Sequence, residues 1–255
     1  MIDRRVAVAA VLVVGFGAGW FARMLFASAT PAPPPARMTG ERDVLPPPPL
    51  PAGASTEQAF DEIYKRGYWG TNEQGEGHSG TGSEMRTTLL YRTFLQAFLK
   101  NNHITSVVDA GCGDWEFSSA MDWTGIDYKG YDIVDSVVEQ DKQKYGKPNI
   151  QFFHANIVDT DLPPADLLIS KQVLQHLPNA DVEKFLKQIK KYKFALIMDS
   201  VDPITMSGKN QDIQPGQFRP FDPTAPPFNA RGFKVLTFWD GYNMQQVVAL
   251  DTGNH

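Results

Sequence analysis

The chain has 255 residues, 42% of them hydrophobic and 21% charged, which is enough apolar material for one sizeable core. A formal net charge of -5, with no Lys/Arg stripe interleaved with aromatics, gives no field for a polyanion, so no nucleic-acid partner is expected. The single cysteine, Cys112, excludes an intramolecular disulfide and a cysteine-built metal cage.

The first predicted element is apolar. Two arginines lie within residues 1–5, and a hydrophobic run then extends over 6–22 until Arg23 interrupts it, with small and apolar residues resuming over 24–29. A membrane span takes about 20 apolar residues. Residues 1–29 therefore read as a single-pass N-terminal membrane anchor, with Trp20 and Arg23 suited to the interface. The alternative is a cleaved secretory signal ending at Ala27-Ser28-Ala29. Residues 30–54 form a linker rich in proline (Pro31, 33–35, 46–49 and Pro51), an extended spacer that supplies no core. The folded domain is expected over 55–255, opened by a capping box at Ser55-x-x-Gln58.

Beyond Ser55, apolar runs alternate with helical patterns. Strands are expected at 106–110, 128–132, 150–154, 166–170 and 194–199, and helices at 84–100, 115–121, 134–145 and 180–191. Such alternation predicts an α/β fold, doubly wound about a mostly parallel sheet. The runs 233–238 and 244–250 flank Asp240-Gly241 and predict an antiparallel C-terminal hairpin at the edge, giving a seven-stranded sheet. Lys187, Lys190, Lys191 and Lys193 recur at helical spacing and read as a solvated face.

The densest stretch is Val107-Val108-Asp109-Ala110-Gly111-Cys112-Gly113-Asp114. Two β-branched residues end a buried strand, an acid sits at its tip, and the glycines let the backbone turn sharply beside a ligand. About 20 residues on, Lys129-Gly130-Tyr131-Asp132 places a carboxylate at the end of the next strand, where ribose hydroxyls are bound. The third glycine of the dinucleotide fingerprint is absent, which disfavours a pyrophosphate-bearing cofactor such as NAD.

This run resembles the first motif of class I (Rossmann-like) methyltransferases that use S-adenosylmethionine (SAM). The resemblance extends over about 55–199. In it, Asp132 stands where the family binds ribose, with Ile133 beside the adenine. His154-Ala155-Asn156-Ile157 matches the segment over the adenine, with Asn156 where the family most often has Asp. The stretch 166–177, which includes Lys171, Gln172, Gln175 and His176, resembles the fourth-strand motif that borders the methionine end of the cofactor. Ser79-Gly80 precedes the first core helix, where related enzymes close over the cofactor. The resemblance thus implies SAM as cofactor and a binding set of Ser79, Gly80, Asp109, Gly111, Cys112, Gly113, Asp132, Ile133, Asn156, Ile157, Lys171, Gln172 and Gln175.

Methyl transfer to an alcohol requires alignment and removal of a proton. His176, after the fourth strand, is the first candidate base, and Asp199, ending the fifth, is the alternative. The insertion over 200–231 is a candidate substrate loop in which Asp212 and Arg219 could bind a polyol or carboxylate. Pro226-Pro227-Phe228 lies beyond the fifth strand, out of place for the catalytic loop of amino-directed DNA methyltransferases, and Tyr68 and Trp69 could stack on a ligand or seal the core. The histidines at 78, 103, 154, 176 and 255 show no ligand spacing, so no metal is expected. The expected activity is methylation of a small acceptor, first a sugar or glycan hydroxyl, by a membrane-tethered enzyme. The alternative is a nucleoside-binding module of the same fold without catalysis.

Overall fold

A computed structural model describes residues 54–71 and 78–254. Residues 1–53, which carry the expected anchor and nearly all of the linker, lie outside the described residues. Among those described, no helix is long and apolar enough to cross a membrane.

The strands are β1 (Ser106–Ala110), β2 (Asp127–Asp132), β3 (Ile150–His154), β4 (Leu167–Lys171), β5 (Phe194–Val201), β6 (Gly232–Trp239) and β7 (Met244–Leu250). They form one seven-stranded sheet in the order β3-β2-β1-β4-β5-β7-β6. Neighbours from β3 to β5 pair in parallel, and β7 pairs antiparallel with both β5 and β6. The sheet is therefore mixed, with the expected C-terminal hairpin at one edge. The chain runs outward from β1 to β3 and returns to lay β4 on the other side of β1. That reversal opens a crevice at the carboxyl ends of β1 and β4, where ligands bind in open α/β sheets.

The main helices are α1 (Thr56–Lys65), α2 (Leu89–Asn101), α3 (Asp135–Tyr145) and α4 (Asn179–Leu186). The capping box forms as read: Gln58 N–H donates to Ser55 Oγ, and Ser55 N–H to Gln58 Oε1. Alternating strand residues feed two cores. Val108, Ala110 and Leu168 pack with Phe60 and Ile63 of α1 and Val182 and Phe185 of α4. Val107, Leu167 and Ile169 pack with Tyr91, Leu95 and Leu99 of α2. Each such fully buried aliphatic side chain stabilises the fold by about 1.5–3 kcal/mol relative to exposure.

Three helical expectations are corrected. Residues 84–88 are turns rather than the start of α2, because the hydroxyls of Thr87 and Thr88 donate to Glu84 O and compete with the helical ladder. The stretch 115–121 is a 3-10 turn at Ser118–Ala120 only, since Trp115 takes a left-handed φ of 52° and stops a helix from starting there. The expected 180–191 helix divides into α4 and a 3-10 turn at Lys187–Lys191. Lys187, Lys190 and Lys193 are exposed, while Lys191 is half-buried and contacts Asp161.

Candidate functional site

The tip of β1 passes into a left-handed turn, with φ of +84° at Gly111 and +58° at Gly113. A Cβ on Gly111 would stand 2.4 Å from Val173 Cγ2, so the position demands glycine for space as well as for backbone. The turn is tied to the tip of β2. Gly111 N–H and Cys112 N–H both donate to Tyr131 O, at 2.8 and 3.1 Å. Gly113 N–H donates to Asp132 Oδ2 at 2.9 Å, and Val134 N–H to Oδ1 at 3.0 Å. Burial pushes the Asp132 carboxyl up and these amide bonds pull it back, so glycine turn and acid are one unit.

That unit forms the floor of a pocket of about 780 Å³, part of it open to solvent. Asp109 lines it from β1, Gly111, Cys112 and Gly113 from the turn, Asp132 from the end of β2 and Ile133 from just beyond it. Asn156 and Ile157 contribute from the segment after β3, Lys171 from the end of β4 and Gln172 from just beyond it, and Ser79 from the opposite wall. The Asn156 side chain serves a local turn: Oδ1 accepts Val158 N–H at 2.9 Å and Nδ2 donates to Asp159 Oδ2 at 3.0 Å. Its backbone thereby sets Ile157 and Val158 as an apolar wall of the same pocket.

At the β4 end the pocket is charged. Asp109 Oδ2 accepts the Tyr128 hydroxyl at 2.6 Å, yet burial raises its pKa to about 7. Lys171 Nζ donates to Gln172 Oε1 at 2.8 Å and lies 4.8 Å from the centroid of the Phe117 ring. Burial pulls its pKa down to about 8, against the opposing pull of Asp114 and Asp109. Gln172 itself carries a left-handed φ of 55°, a strained backbone at the pocket wall.

The opposite wall is stapled to the glycine turn. Ser79 N–H donates to Asp114 Oδ2 at 3.0 Å, Asp114 N–H donates to Ser79 Oγ at 2.8 Å, and Tyr64 Oη lies 2.7 Å from the same Oγ. The neighbouring His78 is brought to Asp114 and Glu116, with one ligand atom of each within 4.8 Å of the others. The sequence spacing gave no hint of this cluster. Gly80 N–H donates to His78 Nδ1 at 2.9 Å and so already engages one of the imidazole nitrogens.

Several expected residues fall elsewhere. Gly80 is not at the pocket wall; it packs beside Trp69. Gln175 is a buried latch, its N–H donating to Asp199 Oδ1 at 3.2 Å and its Oε1 accepting Ser200 N–H at 2.8 Å. His176 lies behind Trp69, ring centroids 4.9 Å apart, and not at the pocket wall. Its Nδ1 donates to Gln217 O at 3.0 Å and Nε2 meets Gln175 Nε2 at 3.1 Å, while burial lowers its pKa to about 4. A base that weak, with both nitrogens engaged, is a poor proton acceptor. Asp199 is buried beneath Gln175, with burial pushing its carboxyl well up, and it does not line the pocket either.

The expected substrate contacts are bonded within the chain, with Arg219 buried and Asp212 exposed. Asp212 Oδ1 accepts Asn179 N–H at 2.8 Å at the start of α4. Arg219 is fully buried, Nη1 donating to Leu177 O at 2.6 Å and Nη2 to Leu174 O at 3.4 Å. Asn210 Nδ2 donates to Asp222 O at 2.8 Å, and Phe228 packs on Phe221. The insertion is thus held down by polar pins. Sequence reasoning also missed Phe60 and Tyr64 of α1, and Phe117, all at the pocket wall. Their spacing reads as core, and only the docking of α1 over the crevice turns them toward it.

Residues 108–192 match the family model described as a methyltransferase domain. Magnesium protoporphyrin IX methyltransferase from Synechocystis PCC 6803, with bound S-adenosylhomocysteine (SAH), is similar in structure. It shares 13% identity over 77% of this chain and 99% of its own, with a TM-score of 0.54. The 1,6-didemethyltoxoflavin-N1-methyltransferase of Burkholderia thailandensis shares 15% identity over 79% of this chain and 92% of its own, with a TM-score of 0.55. At such identities the likeness is one of fold. No curated protein matches the chain in sequence.

Proposed function

We propose that this chain, which carries the domain of a SAM-dependent methyltransferase, transfers the methyl group of SAM to a hydroxyl of a small acceptor. The observation that carries the cofactor reading is the Gly111–Gly113 turn hydrogen-bonded to Asp132 within one pocket. A carboxylate has about four acceptor sites. Two backbone amides use part of that capacity, which leaves Asp132 able to hold a ribose diol. Ile133, Ile157 and Val158 offer an apolar slot for a purine. The neighbouring proteins crystallised with SAM or SAH have the same fold.

Bound there, SAM supplies a methyl carbon already activated by its sulfonium. The chain's own task is to align the acceptor and to keep water out, and alignment alone is worth about 7–11 kcal/mol. Phe60, Tyr64 and Trp69 roof the pocket, and the Ser79–Asp114 staple holds that roof to the turn. With Asp212 and Arg219 already hydrogen-bonded within the chain, the choice of a sugar or glycan hydroxyl rests on the apolar N-terminal run alone. We place the domain at a membrane through the apolar run at 6–22. Carbonate extraction of the full chain from membranes should leave it in the pellet; release into the supernatant contradicts the anchor.

The test of function is incubation of the full-length protein with SAM carrying a deuterated methyl and a pool of small hydroxylated metabolites and glycans. A species heavier by that one methyl, with the label placed on oxygen by tandem mass spectrometry, is expected. Tight SAH binding with no transfer to any acceptor favours a nucleoside-binding module instead.

A further inference from the structure

We propose that Lys171 is the general base of the transfer, receiving the acceptor's proton at Nζ; this rests on the methyltransferase reading above. The sheet order gives the direction. Asp132 sits on the β2 tip, the glycine turn on β1, and Lys171 on the β4 tip. A cofactor whose ribose lies at β2 extends across β1 and points its far end toward β4.

Lys171 is the one Lys, Arg or His among the described residues that line this pocket. It is 7% exposed, and no carboxylate among the described residues lies within ion-pair distance of it. Gln172 Oε1, at 2.8 Å, and the Phe117 ring orient Nζ instead. The other titratable lining groups are committed. Asp132 accepts two amides, Asp109 accepts the Tyr128 hydroxyl, Tyr64 bonds Ser79, and burial pushes the Cys112 thiol well up.

The charged groups that act on Lys171 are Asp109 on β1, Asp114 in the turn, Asp199 on β5 and Asp240 at the β6–β7 tip. All favour the ammonium, yet burial outweighs them and leaves a pKa of about 8, where an amine can hold a lone pair near neutrality. In the step, the acceptor O–H bond breaks toward Nζ as the oxygen bonds the methyl carbon. The pair of the broken carbon–sulfur bond stays on sulfur, and the amine becomes ammonium.

The test reads the lysine directly. The full-length protein carrying 13C at lysine Cε is titrated by NMR when saturated with SAH, the Lys171 signal being identified by its loss in Lys171→Met. Titration near pH 8 is expected, together with a rise in methyl transfer to the acceptor pool through the same pH. Lys171→Met should lower turnover about a hundredfold or more while its SAH dissociation constant stays within about threefold, and Lys171→Arg should not restore turnover. An ammonium that stays protonated past pH 10 in the SAH complex overturns the assignment. So does a loss of SAH affinity equal to the loss of turnover, because Lys171 would then hold the cofactor. Failure of the wild-type chain to bind SAH strikes the function itself, and is seen before any variant is made.

Discussion

His176 shows how a polar side chain can mislead at the scale of one residue. Its place after β4 fits a catalytic base, but the ring packs at a tilt against Trp69 and bonds Gln217 O and Gln175. His176→Ala should therefore lower unfolding free energy by about 1–3 kcal/mol, through the polar groups it leaves unpaired. The pH profile of turnover should stay in place; denaturant melts and a pH–rate series check both. Gly111 is the converse, a residue legible from sequence because a sharp turn after a buried strand requires it. Gly111→Ala forces a Cβ to 2.4 Å from Val173 Cγ2 at a φ of +84°, and should abolish SAH binding measured by calorimetry. Asp212 and Arg219 were not legible in this way. Sequence shows a donor or acceptor, but not whether its partner is a ligand's or the chain's own backbone.

Among the elements, the bounds of β1, β3 and β7 match the sequence reading, since β-branched or aromatic runs there are closed by turn residues. The helix expected after the glycine turn was not legible, because left-handed Trp115 breaks it through a tertiary arrangement of buried rings. The wall from α1 to Ser79 was half-legible. Ser79 stood out beside Gly80, whereas Phe60 and Tyr64 looked like ordinary core. If the Ser79–Asp114 staple holds this wall, Ser79→Ala should speed amide hydrogen exchange over 79–83 and weaken SAH binding, with the exchange of β1 and β4 unchanged. Uniform acceleration across the sheet would instead mean that Ser79 supports global stability.

For the whole molecule, the mixed sheet and its edge hairpin follow from alternating patterns, while the charge balance of the interior does not, because burial sets it. Asp109 has a pKa raised to about 7 in the folded state. Between about pH 4 and 7 the native state therefore holds a proton that the unfolded chain has lost, and this contribution to stability falls as pH rises. His176, lowered to about 4, contributes in the opposite sense below its usual value, so a wild-type melt alone mixes the two. The difference in Tm between Asp109→Asn and wild type should grow in favour of the variant as pH rises from about 4 to about 7; a constant difference contradicts the raised pKa. The central claim concerns the joint site of the glycine turn and Asp132. Calorimetric titration of the full-length chain with SAH, wild type against Asp132→Ala, tests it most directly. A saturable heat for the wild type, with affinity reduced roughly ten- to a hundredfold in the variant, is the expected result. No heat for the wild type, or equal affinity for both proteins, would contradict the account.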